Sequence, residues 1–329
     1  VSLPLLAIAG LGGTLSMQAG GDGLLPALDA QALVAGLPQL AEWARVEAQT
    51  LQRLPSASLS LPQLLDVLHW AEAQVRAGAQ GVVVAQGTDT LEESAWLLDL
   101  LWRHPQPLVF TGAMRAASQL GADGPANLLA AATVALACES RGRGVLVVFN
   151  DEVHGARHVR KQHALALGAF ASPSHGPVGV LVEGRPHYRH PPCRRQPLPL
   201  PGPGDRPVAL LEATLGADTL LLKRVLAVGY AGLVIAGMGA GHVPRAWAEP
   251  LGEIAPQIPV LIASRTGQGS TASRTYGFAG GEIDLQRRGA IMAGDLCPRK
   301  CRLLLWLLAN TEAPGSVHER LLAWLAEAA

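Results

Sequence analysis

Three polar clusters in the first half of the chain each follow an apolar run, and their residue types suit nucleophilic attack on a carbonyl. Gly10-Leu-Gly-Gly-Thr14-Leu-Ser16 follows Leu5-Leu-Ala-Ile-Ala9, and Gln86-Gly-Thr88-Asp89-Thr90 follows Gly81-Val-Val-Val-Ala85. Asn150-Asp151, with Arg157 and Lys161 further on, follows Val145-Leu-Val-Val-Phe149. A threonine hydroxyl is a weak nucleophile at neutral pH and needs a neighbouring base. A lysine desolvated among polar groups can take that proton, which makes Lys161 a candidate; standing alone it reads first as a solvated surface lysine beside Arg160. Thr90 reads as a helix N-cap and Gly87 as a turn residue. Capping needs only one of Thr88, Asp89 and Thr90, so the others exceed structural need. The first cluster also invites comparison with a dinucleotide-binding loop. That motif requires glycine where Leu15 stands, so the glycines read instead as exposing Thr14 and letting backbone N–H groups approach an oxyanion.

Side chains with such work need a rigid base. The runs named above, with Pro107-Leu-Val-Phe-Thr111, are apolar on both faces and read as buried parallel strands. Ser60 and Gln63 form a capping box for a helix that buries Leu64, Leu65, Leu68 and Val75. Thr90 and Glu93 read as a second box, opening a helix through Trp102, and Asp123-Gly124-Pro125 starts a third helix. The βαβαβ order implies a parallel sheet flanked by helices. In such sheets ligands collect beyond the carboxyl ends of the strands, where all three polar clusters lie.

His190 to Pro207 carries seven prolines in eighteen residues, which forbids helix interior and central strand alike. The expectation is two α/β domains: a larger N-terminal domain over 1–189, a proline-rich linker over 190–207, and a smaller C-terminal domain over 208–329. In the latter, Val208–Leu211, Leu233–Ala236 and Val260–Ala263 read as strands. Helices are expected near Asp218–Val228, after Ala236, at Pro298–Ala309 and at Ser316–Ala328.

The 329 residues are 49% apolar, enough for a sizeable core, and Lys+Arg and Asp+Glu both total 26. A formal charge of zero gives no nucleic-acid footprint and no polybasic membrane surface, so the expected partner is a small molecule or another copy of the chain. No apolar stretch reaches the ~18–20 residues of a membrane span. The N-terminus reads as a first core strand rather than a signal peptide, which points to the cytoplasm; without an initial Met, a periplasmic chain whose leader has been removed stays open. Cys138, Cys193, Cys297 and Cys301 show no disulfide framework and no metal-ligand spacing, and read as free thiols.

Gly12-Gly-Thr14, Gly87-Thr-Asp-Thr-Leu-Glu-Glu93, Thr111-Gly-Ala-Met-Arg115, Ala122-Asp-Gly-Pro-Ala-Asn-Leu128 and Asn150-Asp151 through Arg157-His-Val-Arg-Lys161 occur in this order. In sequence and spacing they resemble the bacterial-type L-asparaginase/glutaminase family, from Leu5 to about Gly184. Beyond the linker the likeness continues more weakly, as in Val228-Gly-Tyr-Ala-Gly-Leu-Val-Ile-Ala-Gly-Met-Gly239. The resemblance implies a two-step amide hydrolysis with no metal or organic cofactor. Thr14 would attack the carboxamide of L-asparagine or L-glutamine, and Thr88, Lys161 and Asp89 would activate a hydroxyl or water and relay protons. Asp89 would also meet the substrate α-ammonium, Ser56 its α-carboxylate, and the backbone at Thr88 and Ala113 would line the pocket. Homodimers or homotetramers are implied, with sites completed by a neighbouring subunit.

The chain also departs from that family. Leu24 stands at the position of a lid tyrosine, and no tyrosine precedes Tyr188. Leu11 replaces a common threonine, Gln86 a frequent histidine and His158 a frequent aspartate. His242 stands where some members lend an asparagine across the subunit interface, and the acidic residue such members lend has no obvious counterpart before Arg274. Without a phenol Thr14 lacks its expected proton acceptor, so hydrolysis of a different small amide and plain amino-acid binding are the alternatives to asparagine hydrolysis.

Overall fold

The computed structural model describes residues 2–20, 23–26 and 28–327, the side chains of 18–20 and 23–26 excepted. The chain forms two compact units, Val1–Pro197 and Leu198–Ala329, and residues 190–207 carry no helix or strand.

In the first unit the strands are β1 (Leu5–Gly10), the hairpin β2 (Met17–Gly20) and β3 (Gly23–Pro26), β4 (Arg45–Thr50), β5 (Ala79–Ala85), β6 (Leu108–Thr111), β7 (Val145–Phe149) and β8 (Glu152–Gly155). The two-residue β9 (Arg160–Lys161) and β10 (Phe170–Ala171) follow, then β11 (Gly179–Val182) and β12 (Arg185–Tyr188). One eight-stranded sheet has the order β12-β11-β8-β7-β6-β5-β1-β4. β4, β1, β5, β6 and β7 are parallel; β8, β11 and β12 extend the sheet antiparallel, which the βαβαβ pattern did not anticipate. The reversal is made at Asn150 and Asp151, both at positive φ (50° and 60°), as a two-residue hairpin turn requires. These two polar residues therefore turn the chain from β7 into β8.

β1, β6 and β7 are buried along their whole length, so nothing polar can leave the sheet except at its ends. Helices Leu61–Arg76, Leu91–Leu101 and Gly124–Leu136 link successive parallel strands. The first opens with the Ser60–Gln63 capping box. Leu37 and Leu40, between β1 and β4, share one core cluster with Leu128 and Ala132 of the Gly124–Leu136 helix, over Leu6, Ile8, Val83 and Val109. The β1-to-β4 and β6-to-β7 links thus cover one face while advancing towards opposite edges. One of them must be left-handed, against the usual preference.

The second unit is built on a parallel sheet of β13 (Val208–Glu212), β14 (Gly232–Gly237), β15 (Val260–Ser264) and β16 (Ile291–Met292), in chain order. The helix expected over 218–228 shrinks to a 3-10 turn at Leu222–Arg224 and one helical turn at Val225–Val228. Asp218 Oδ1 accepts the Leu220 N–H at 2.8 Å, an alternative to helical bonding that delays the helix. The fully buried Glu282 begins the Glu282–Arg287 helix. Its carboxylate accepts N–H bonds from Thr275 and Tyr276 at 2.7 and 2.6 Å and lies 3.3 Å from His242 Nε2. Desolvation pushes its pKa up, but those hydrogen bonds outweigh it and hold the group below the ordinary carboxylate value.

A carboxylate whose pKa is depressed in the folded state stabilises the fold above its unfolded pKa, and the contribution disappears as pH falls through the folded value. Melting temperatures measured across the acid range should therefore fall less steeply with acidification in Glu282→Gln than in the parent chain. Equal slopes would mean that Glu282 contributes nothing to acid sensitivity.

Candidate active site

The parallel strands lie in the order β4-β1-β5-β6-β7, so the chain leaves β1 towards one edge and then builds towards the other. The reversal falls between β1 and β5, where an open α/β sheet presents a crevice at its carboxyl ends. The loops leaving these two strands carry Thr14 and Thr88-Asp89.

Glycines let the loops meet. Gly13 sits at φ 90°, and a Cβ on it would overlap the Cα and N of Gly87. Leu11 N–H bonds Ala85 C=O at 2.9 Å, tying the two exits together. Thr14 and Thr88 each come one residue after the touching glycines. Leu54 N–H bonds Leu11 C=O at 3.2 Å and brings in the loop holding Ser56, a buried residue. Ser56 Oγ accepts the Asp89 N–H at 3.1 Å, and Ser56 C=O accepts the Thr90 hydroxyl at 2.9 Å. Thr90 is the N-cap residue as expected, but its hydroxyl makes no capping bond. The second capping box is therefore absent, the hydroxyl being used to bind two loops together. Beneath them, the fully buried Gln86 donates Nε2–H to Thr90 Oγ1 at 3.2 Å.

From β6 comes Gly112, where a Cβ would run into Gln86 C=O, and then the buried Ala113. Asp123 accepts N–H bonds from Met114 at 2.9 Å and Arg115 at 2.8 Å. Buried Asn127 donates to Gly112 C=O at 3.1 Å and Asp123 Oδ2 at 3.0 Å, and accepts the Asn150 N–H at 3.1 Å. Asp123 thus fixes the β6 exit as well as marking a helix start.

Lys161 arrives from β9. Its backbone N–H bonds buried Glu92 at 2.6 Å, and its Nζ donates to Thr88 Oγ1 at 2.9 Å and to Asp89 Oδ1 at 2.7 Å. The Asp89 side chain is 68% exposed, so water screens the ion pair; the contact orients Lys161 more than it stabilises the fold.

Thr88, Asp89, Lys161 and Ser56 are therefore joined by direct hydrogen bonds, while Thr14 and Ala113 arrive through the glycines before them. Leu24 pairs with Ala19 in the β2–β3 hairpin, and its side chain lies outside the described residues. His158 and His175 stack with ring centroids 3.7 Å apart, and the hydrogen-bonded set at Lys161 includes neither. Sequence reasoning missed Glu92, Asp123 as an N–H acceptor, and Asn127. The signal for Glu92 was an acidic residue directly after Leu91, on the side of the helix that a solvated charge should avoid.

With this geometry in place, comparisons with known proteins are specific. The Asparaginase, N-terminal family profile matches residues 5–194, and the Glutaminase/Asparaginase C-terminal domain profile matches residues 207–321. The chain belongs to the asparaginase family. A probable L-asparaginase of Deinococcus radiodurans is 38% identical, covering 95% of each chain. A probable periplasmic L-asparaginase of Haemophilus influenzae is 32% identical over 96% of this chain and 92% of its own. A crystal structure of a probable cytoplasmic L-asparaginase from Campylobacter jejuni superposes with a TM-score of 0.85 at 29% identity, covering 97% of this chain and 99% of that one. Against the asparaginase family pattern, Leu11 is a wholly buried core residue and Gln86 a loop support, so both departures lie under the candidate site.

The meeting of the Gly13 and Gly87 backbones can be tested by substitution. Gly229 also sits at φ 90° but would give a Cβ open space. Gly229→Ala should cost ~1–2 kcal/mol for the dihedral alone. Gly13→Ala should cost at least ~1–3 kcal/mol more, because the methyl meets backbone atoms that cannot give way. Denaturant melts of both variants check this, and equal losses would mean that the loops separate freely.

Proposed function

We propose that the chain hydrolyses the side-chain amide of L-asparagine to L-aspartate and ammonia. The observation that carries this reading is the placement of Lys161 Nζ between Thr88 Oγ1 and Asp89 Oδ1, at 2.9 and 2.7 Å, at the switch point of the sheet. In the first step Thr14 Oγ adds to the carboxamide carbon. The hydroxyl proton passes to the departing nitrogen, the C–N bond breaks, and ammonia leaves an ester on Thr14. In the second step a water adds to the ester carbon, its proton returns to Thr14 Oγ, and L-aspartate departs. Lys161 donates to both partners at rest, so to act as a base towards Thr88 it first gives a proton to the Asp89 carboxylate or to solvent. Backbone N–H groups at the glycine-rich exits suit the developing oxyanion.

An amino-acid zwitterion fits the remaining groups. The Asp89 carboxylate suits the α-ammonium. Ser56 Oγ accepts the Asp89 N–H, which leaves its own hydrogen for the α-carboxylate. L-Glutamine is longer by one methylene, a difference worth only ~1–3 kcal/mol, so it serves as a second substrate. The exposed free thiols Cys138 and Cys193 suit a reducing compartment and support a cytoplasmic location. Among the described residues no helix is long and apolar enough to cross a membrane. A homodimer or homotetramer is proposed as the working form, and no cofactor is required.

Ammonia release from L-asparagine, L-glutamine and their D-isomers tests the reading. L-Asparagine turnover should fall by at least ~10²-fold in Thr88→Val and in Lys161→Met, with the melting temperature of Lys161→Met nearly unchanged. No ammonia from any of the four would favour another amide or a binding role, the outcome for which Leu24 is the motive. Light scattering at micromolar protein should show at least a dimer; a clean 34.3 kDa monomer would remove the expectation of shared sites.

A further inference from the structure

The short sheet that carries Lys161 is tied to the main sheet through a buried histidine, and we propose that His154 is a positioning residue for Lys161. The proposal rests on the reading of Lys161 as part of the proton relay. β9 and β10 have two residues each, too few to hold a fixed geometry unaided, so the place of Lys161 is set by what anchors this hairpin. Three anchors are present. Lys161 N–H bonds Glu92, the Phe170 ring stacks on Phe149 with centroids 4.4 Å apart, and Ser172 Oγ shares a 3.0 Å hydrogen bond with His154 Nδ1.

The third anchor has an unusual residue at its root. His154, on β8 opposite Val147 of β7, is wholly buried, and β8 is held between β7 and β11. Its Nε2 lies 3.3 Å from Glu152 Oε2. Ser172 directly follows β10, where Phe170 pairs with Lys161 and Ala171 with Arg160. A short path of hydrogen bonds and main chain therefore runs from the His154 ring through Ser172 to the register of Lys161. The row Ser172–His154–Glu152 has the composition of a nucleophilic triad. Yet Ser172 is 5% exposed and His154 0%, so no substrate reaches the hydroxyl and the role is positional. A buried imidazole is costly unless bonded, and packing alone would be served better by an aliphatic side chain.

The main chain at Thr88, Asp89 and Ser56 is held by the β5 exit and the Ser56 loop, while the β9–β10 hairpin meets Thr88 and Asp89 through the Lys161 side chain. Loosening the hairpin should therefore displace Nζ while sparing the groups that meet the substrate. A misplacement on the order of 1 Å can cost ~10²-fold in rate. The signature is a fall in kcat with little change in KM.

The experiment compares His154→Leu, His154→Asn, Ser172→Ala, the His154→Leu/Ser172→Ala pair and Lys161→Met in L-asparagine turnover, with a melt of each. His154→Leu should lower kcat by about 10- to 100-fold, with KM within about threefold. Ser172→Ala should act similarly, and the pair should be no worse than either alone, since both remove one bond. His154→Asn, whose amide reaches the place of Nδ1, should restore most of kcat. A His154→Leu enzyme with parental kcat, effects of the two single changes that multiply in the pair, or an Asn variant no better than Leu would each overturn the proposal. If the Leu variant does not fold, Ser172→Ala and His154→Asn carry the same test. Full activity in Lys161→Met would overturn the underlying reading of Lys161; an inactive Lys161→Met beside a normal His154→Leu would overturn only the positioning role.

Discussion

The first unit depends on keeping water away from parallel strands that are apolar on both faces. β1, β6 and β7 present no exposed residue along their length, so every polar group that must meet a ligand is pushed to the strand ends. Where those ends converge there is no space for side chains between the loops. Gly13 against Gly87, and Gly112 against Gln86 C=O, meet this by bringing main chain against main chain. The threonines that follow Gly13 and Gly87 are thus set by backbone contact rather than by packing of their own side chains.

The candidate site has two halves with different mechanical origins. Thr14, Ser56, Thr88 and Asp89 belong to loops interlocked by hydrogen bonds in which Ser56 and Thr90 are shared members. Lys161 belongs to a hairpin with only two residues in each strand, which borrows rigidity from Glu92, Phe149 and His154. The Lys161–Asp89 contact bridges the halves. Because Asp89 is open to solvent, that bridge is an orienting contact and not a major source of stability.

What the sequence made legible were features with one strong physical signal. The apolar runs of β1, β5, β6 and β7 were readable because strands buried on both faces cannot alternate. The Ser60–Gln63 box was readable because both partners sit at fixed offsets. The residues Thr88, Asp89 and Lys161 could be picked out as polar groups at strand exits, and family likeness supplied the roles expected of them. β4 was missed because Arg45, Glu47 and Gln49 make it an edge strand with one solvated face. β8, β11 and β12 were missed because they are short and follow a turn that looked like a polar cluster. The hydroxyl of Thr90 was misassigned because capping is a local rule, and a distant carbonyl on Ser56 won the bond. His154 gave no signal: its partner lies 18 residues on, and only the fold brings them together.

The contact between Lys161 and Thr88 spans 73 residues of chain. During synthesis the loops at Thr14, Ser56 and Thr88 emerge first, and β5 and β6 can pair before β9 exists. The hairpin must then be made beyond β8 and folded back over a sheet already in place. Loop closure of that length carries an entropic cost that the anchors at Phe149, Glu92 and His154 help to offset. The candidate site is therefore complete only once the chain through Lys161, the greater part of the first unit, has been made.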